Sequence, residues 1–173
     1  MNEHVMLVNK HDHVIGQEEK LKAHQTGALH RAFSIFIFNQ QKQLLIQKRA
    51  TTKYHSAGLW SNTCCGHPRP GEATSIAAQR RLFEETGIVC QLYPIGAFTY
   101  HAKLPQTNLI EYEVDHLFYG FFEGTPLPNP QEIAQLRWIT HQQLLQEFDH
   151  HPSMFTTWFE QALQIIYRMD RIV

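Results

Sequence analysis

The 173-residue chain has only three cysteines, Cys64 and Cys65 side by side and Cys90 alone. So few thiols do not make a disulfide framework, and a reducing, cytoplasmic setting is expected. No apolar run approaches the roughly 18 residues that cross a bilayer, so no membrane partner is expected. The first residues, Met1 to Val14, lack the basic and then apolar layout of a secretion signal. Charge is missing as a bulk property: 15 Lys and Arg face 16 Asp and Glu, a net −1. No field therefore draws the chain to nucleic acid. Internal repeats and low-complexity tracts are absent as well. What remains is an ordinary globular composition, 43% hydrophobic. It suits one domain over residues 1–173 with its own core, most simply a monomer.

Histidine is abundant, with 12 in the chain. Several, such as His150 and His151, sit in polar stretches and read as solvated side chains. The abundance lowers the weight of any single histidine.

Apolar and β-branched runs predict strands at residues 5–8, 33–38, 44–49, 59–65, 91–100, 109–122 and 136–139. A turn over residues 39–43 joins the second and third. Residues 18–24 tolerate a short helix. Residues 74–86 give the clearest helix, with Thr74 as N-cap and Gly87 as its stop. Helices are also expected at 141–148 and 153–171, the latter with Phe155, Trp158, Phe159, Leu163 and Ile166 at helical spacing. Residues 124–130 form a proline-punctuated loop. Strands and helices interleave without a strict βαβα period, which predicts a mixed α+β class.

The most informative stretch runs from Gly66 to Ile88. A glycine-rich loop leads into a helix carrying Glu72, Arg80, Glu84 and Glu85 and closed by Gly87. A run of charges is usually only a solvated helix face. Here six positions, Gly66, Glu72, Arg80, Glu84, Glu85 and Gly87, have spacing that resembles a Nudix box. Carboxylates of such a helix can hold Mg²⁺ against a diphosphate, because hard oxygen ligands suit that ion. Glu85 is the best single ligand candidate. Position 81 is Arg where the box usually has Glu. Arg81, one turn before Glu85, would contact a phosphate oxygen or simply neutralise Glu85.

Five further sets bear on the chemistry. Glu111 and Glu113 are two apart in a strand, so they share a face about 6–7 Å apart. Buried there, two like charges need a cation or a proton between them. His24 and His30 are six apart around Gly27, where a turn would bring them together, and His67 lies in the glycine loop. With both acids these histidines would suit a divalent ion such as Mn²⁺, Mg²⁺ or Zn²⁺. Cys65 sits beside a glycine and a histidine at the mouth of an anion site, where positive surroundings would stabilise a thiolate. It is a candidate base or nucleophile, whereas Cys64 and Cys90 read as small buried hydrophobes. Lys20, Arg49, Lys53 and Arg81 would make a diphosphate clamp if they converge. Trp60, Tyr100 and Trp158 read first as core, though an indole face also stabilises a carbocation.

Taken together, Ala23-His24, Leu29 to Ser34, Lys48-Arg49-Ala50, Trp60 to Pro68, Glu84 to Gly87 and Glu111-Tyr112-Glu113 resemble the type 1 isopentenyl-diphosphate isomerases of the Nudix superfamily. The resemblance spans nearly the whole chain. It implies a Nudix-type fold and interconversion of isopentenyl and dimethylallyl diphosphate. It implies Cys65 and Glu113 as catalytic groups, Tyr100 hydrogen-bonded to the acid, and Trp158 facing the cation. It implies a metal centre of His24, His30, His67, Glu111 and Glu113. A second, substrate-linked Mg²⁺ would use Glu85 and the backbone carbonyl of Cys65. Lys20, Arg49, Lys53 and Arg81 match diphosphate-contacting positions. The box ends Glu-Thr-Gly here, where the family often has Glu-Leu-Gly.

Two other readings compete. A Nudix hydrolase of nucleoside diphosphate derivatives accounts for Gly66–Ile88 but leaves Cys65, the paired acids and the histidines unused. A zinc-stabilised binding module would use Cys64, Cys65 and histidines, but has no second paired-cysteine motif.

Overall fold

The computed structural model describes residues 3–104 and 107–168. The elements run β1 (His4–Val8), β2 (Val14–Glu19), α1 (Lys20–Thr26), β3 (His30–Phe38), β4 (Leu44–Arg49), β5 (Trp60–Ser61) and β6 (Cys64–Gly66). Then follow α2 (Thr74–Thr86), β7 (Tyr93–Lys103), β8 (Ile110–Phe121), β9 (Ile133–Ile139), α3 (His141–His150), a 3₁₀ turn (Pro152–Met154) and α4 (Phe159–Tyr167). The fold is α+β, a mixed nine-stranded sheet with helices packed on it.

β3 organises the sheet. Its β-branched and aromatic residues are almost all buried, as suits a strand with neighbours on both edges. Along one edge β8 pairs with it in parallel over its full length. The other edge is shared in turn by β1 at His30, by β6 at Phe33–Ile35 and by β4 at Ile37–Phe38, all antiparallel. Its two faces feed two cores. Phe36 and Phe38 pack with Leu144, Phe148, Phe159 and Leu163 under α3 and α4. Phe33, Ile35 and Ile37 pack with Ala77, Ala78 and Leu82 of α2. Among the described residues no helix is long and apolar enough to cross a membrane.

Helix α2 occupies the expected span, and Gly87 ends it in the left-handed region at φ 69°. The expected N-cap does not hold. Ala73 is the cap, with no side-chain hydrogen bond, and Thr74 is already helical. The strand expected at 59–65 is two short strands. Asn62 and Thr63 interrupt it because their side chains take the place of ladder partners. Asn62 Nδ2 donates to Cys64 O at 2.7 Å and Ile35 O at 3.2 Å, and Thr63 Oγ1 donates to Leu45 O at 2.5 Å. The helix expected at 153–171 begins only at Phe159. Before it, Phe155 bridges Trp60 and the Thr156 amide donates to Trp60 O, tying the chain to β5. The end of that expected helix, from Met169 to Arg171, lies outside the described residues. In the segment 18–24, Glu18 and Glu19 close β2, which the sequence reading missed, and the helix starts at Lys20. β9 begins at Ile133, three residues before the expected start.

Candidate active site

Sheet register gathers the chemistry. β8 sets Glu113 beside His30, β7 sets Tyr100 beside Glu113, and β6 sets Cys65 beside Ser34. Side chains two apart share a face. Glu111, Glu113, Tyr100, Ser34 and Cys65 therefore project from one side of the sheet into one pocket, which Lys20, Arg49, Lys53, His67, Arg81, Glu85 and Trp158 also line. His24 of α1 is fully buried behind the pocket, where it meets Glu111. Gly27, at φ 67°, turns the chain from α1 into β3 and brings the His24 and His30 rings to 4.8 Å between centroids.

The donor set fits a divalent cation. His24 Nδ1 donates to Lys20 O at 2.6 Å, and His30 Nδ1 donates to Ala28 O at 2.8 Å. A carbonyl only accepts, so both Nε2 atoms are bare lone pairs in the neutral rings. These Nε2 atoms are buried and make no hydrogen bond among the described residues. Yet they face carboxylate oxygens, His24 toward Glu111 Oε2 at 3.2 Å and His30 toward Glu113 Oε1 at 3.3 Å. Acceptor aimed at acceptor in a dry interior needs a cation or a proton between them. Burial works against a protonated His24 ring, but Glu111 favours it and outweighs the burial. Ligand atoms of His24, His30, His67 and Glu113 lie within 4.8 Å of one another. Glu111 groups instead with His24 and His55. No cysteine joins either group among the described residues, which removes the support for a zinc module built on Cys64 and Cys65. Burial and the charge of Glu113 raise the Glu111 carboxyl. Burial would raise Glu113 too, but His30 and His67 outweigh it and hold it well below the usual range. Burial pushes His67 down to about 3 and His55 down to about 2; a neutral ring at His67 is what a metal ligand needs.

The four expected cations converge on this pocket. Three of them meet carboxylates: Lys20 pairs with Glu3 at 3.0 Å, Lys53 with Glu132, and Arg81 with Glu85 and with Glu132 at 3.2 Å. Arg49 differs. It is 7% exposed, its Nε is buried without a hydrogen-bond partner among the described residues, and its Nη2 donates only to His55 O at 3.3 Å. An uncompensated buried guanidinium suits an anion. Of the box carboxylates only Glu85 lines the pocket. Burial raises its carboxyl, opposed by Arg81.

Around Cys65 the expectation of a stabilised thiolate is corrected. Burial pushes the thiol up to about 12, although Arg49, with Nη1 at 3.9 Å from Sγ, pulls the other way. Burial thus favours the protonated thiol. Tyr100 donates to Glu113 Oε2 at 2.5 Å. Trp158 is buried but forms a pocket wall, its Nε1 donating to Asn62 Oδ1 at 3.2 Å and its ring 5.8 Å below the Arg49 guanidinium. Trp60 is core, stacked with Arg137 at 4.3 Å. Cys64 is fully buried against α2.

Sequence reasoning missed Ser34, Gln47, Tyr54, His55, Asp115 and Glu132. Ser34 carried a signal, a polar residue within an aromatic strand. Asp115 continues the alternation of Glu111 and Glu113 and accepts from Ser34 Oγ at 2.8 Å. His55 follows Lys53 closely in the same loop.

Comparison with known proteins agrees with this geometry. The NUDIX domain family model matches residues 28–159. "Isopentenyl-diphosphate Delta-isomerase 2" of Photorhabdus laumondii is 51% identical over 98% of this chain and 96% of that protein. "Isopentenyl-diphosphate Delta-isomerase" of Serratia proteamaculans is 52% identical over 92% of this chain and 88% of that protein. Among solved structures, the Deinococcus radiodurans protein DR0079 superposes with a TM-score of 0.77 at 23% identity, covering 94% of this chain and 99% of its own. A MutT NUDIX hydrolase from Burkholderia pseudomallei gives 0.63 at 19% identity over 80% of this chain and 98% of its own. These two share the fold. The match over most of its length and the near-full-length relatives show that the chain belongs to the NUDIX domain family and, within it, to the isopentenyl-diphosphate Delta-isomerases.

Proposed function

We propose that this chain interconverts isopentenyl and dimethylallyl diphosphate through Cys65 and Glu113. The observation that carries the reading is that a thiol, Cys65, and a carboxylate, Glu113, line one pocket, whose same wall includes an uncompensated guanidinium, Arg49. A proton adds to the terminal alkene carbon and leaves a tertiary cation. A proton is then lost from the carbon nearer the diphosphate, so the net formula is unchanged. One of the two groups gives the proton and the other takes it, and reversal exchanges the roles. A weakly basic alkene needs a close acid in a dry site. Tyr100 steadies Glu113 by hydrogen bonding to Oε2. Trp158 offers an aromatic face to the cation.

Arg49, Lys53, Lys20 and Arg81 bind the diphosphate. Glu85 and the Cys65 carbonyl would hold Mg²⁺ there, and His24, His30, His67, Glu111 and Glu113 a second ion, Mn²⁺, Mg²⁺ or Zn²⁺. When bound, these ions neutralise phosphate charge and keep the paired carboxylates ionised. Arg81 explains why the box need not hydrolyse. It stands where the box usually has Glu and pairs with Glu85. The unit is read as one Nudix-type domain, monomeric and cytoplasmic, which gel filtration and cell fractionation test. For the reaction, purified chain with Mg²⁺ and Mn²⁺ is incubated with isopentenyl diphosphate and followed by ¹H NMR and phosphate release. Dimethylallyl diphosphate without released phosphate is expected. Released phosphate without isomer supports a hydrolase instead.

A further inference from the structure

His55 lies outside the ligand set that the family resemblance implies, yet it is 7% exposed and faces the metal centre. Its Nδ1 is 3.4 Å from Glu111 Oε1 and equally far from Ser56 Oγ, while the other Glu111 oxygen, Oε2, faces Nε2 of His24 at 3.2 Å. Glu111 is thus held between an inner and an outer imidazole. The donor groups give the order. His55 clusters with His24 and Glu111, but not with His30, His67 and Glu113. Nitrogen and oxygen ligands of one ion sit about 2.0–2.2 Å from it, hence no more than about 4.4 Å from each other. His55 therefore falls outside the reach of an ion held by His30, His67 and Glu113, and so does Glu111 as it stands, His24 being common to both groups; His55 is placed as the partner of Glu111 rather than of that ion.

The loop between β4 and β5 is built to keep the ring there. The His55 ring stacks on His24 at 5.6 Å and meets the Tyr54 ring edge-on at 4.4 Å. Its carbonyl accepts from Arg49 Nη2. The next residue, Ser56, is in the left-handed region at φ 49°, a conformation costly for a residue with a Cβ. Such local strain persists where its surroundings enforce it.

We propose that His55 is a positioning residue of the metal centre: its Nδ1–H donates to Glu111 Oε1 and turns Oε2 toward the ion shared with His24. Ligating carboxylates held this way lose roughly 10–100-fold in metal affinity when the outer partner is removed.

The proposal rests on reading the His24 cluster as a metal centre, so the test separates the two. Chelator-stripped parent, His55→Ala, His55→Asn and His24→Ala proteins are titrated with Mn²⁺ by calorimetry. Their metal-free melting temperatures and Co²⁺ visible spectra are recorded beside them. His55→Ala is expected to bind Mn²⁺ at least about tenfold more weakly with the metal-free melting temperature unchanged. His55→Asn, whose amide reaches the Nδ1 position, is expected to recover most of the affinity and to keep the parent Co²⁺ spectrum. Parent-like Mn²⁺ affinity in His55→Ala overturns the proposal. A Co²⁺ spectrum altered in His55→Asn overturns it in favour of direct ligation. Parent-like affinity in His24→Ala as well overturns the metal-centre reading itself.

Discussion

Tyr100 donates its phenolic hydroxyl to Glu113 Oε2 at 2.5 Å, while His67 and His30 face the other oxygen, Oε1, at 2.8 and 3.3 Å. One carboxylate is thus held from both ends. Its protonation energy and its aim depend on the phenol as well as on the centre behind it. A hydrogen bond to a charged group contributes about 1.5–3 kcal/mol. Tyr100→Phe should therefore lower kcat about ten- to a hundredfold, at about 1.4 kcal/mol per decade, with KM little changed. Steady-state isomerisation kinetics check this, and an unchanged kcat would count against the role of the phenol.

The adjacent cysteines separate site from core. Cys65 lines the pocket, and Cys64 points into the α2 core with no exposure. Cys65→Ala and Glu113→Gln are each expected to leave almost no turnover while binding of isopentenyl diphosphate persists. Cys64→Ala should retain turnover and lose about 1 kcal/mol of stability as a small buried cavity. Near-normal turnover in Cys65→Ala would remove the thiol from the mechanism.

Metal removal is the third test. The bare Nε2 atoms of His24 and His30 face carboxylates without hydrogen bonds. Stripping with a chelator should abolish isomerisation, lower the melting temperature and leave far-UV circular dichroism intact, since none of the proposed ligands belongs to either hydrophobic core. Mn²⁺ or Mg²⁺ should restore activity. Unfolding on stripping would point to a metal-dependent fold instead.

What was legible in the sequence follows from locality. Helix α2 was readable because its stop, Gly87, and its apolar spacing are local signals. The set of His24, His30, His67, Glu111 and Glu113 comes from the family resemblance, since spacing alone does not assemble residues from a helix, a loop and two strands; the fold brings their ligand atoms into two groups that share His24. His55 was not legible, since only loop geometry at Ser56 turns it inward. The break at Asn62–Thr63 was hidden because it depends on carbonyls of Ile35 and Leu45, distant in the chain. Phe155 and Trp158 have helical spacing, but pairing with Trp60 keeps Phe155 extended. Tertiary hydrogen bonds overrode the local period in both places.

Within the box, Glu72 holds structure rather than metal. Its oxygens accept from Arg80 Nε and Nη2, both at 2.8 Å, and Oε2 also accepts from the Arg69 amide at 2.9 Å. The bidentate pair ties the glycine loop to α2 and does not line the pocket. Hydrogen bonding from Arg80 holds the Glu72 carboxyl below its ordinary value. Above the unfolded value of about 4.3 both folded and unfolded forms are ionised, and the bond's contribution is fully present. As pH falls through the lower folded value, Glu72 takes up a proton and the contribution is lost. Glu72→Gln should therefore cost no more than about 1 kcal/mol at pH 7, given the solvent-screened setting. The gap to the parent should close below about pH 4. Urea unfolding of the metal-free proteins at several pH values measures it. A gap that stays constant into acid would show that the charge of Glu72 does not hold the loop.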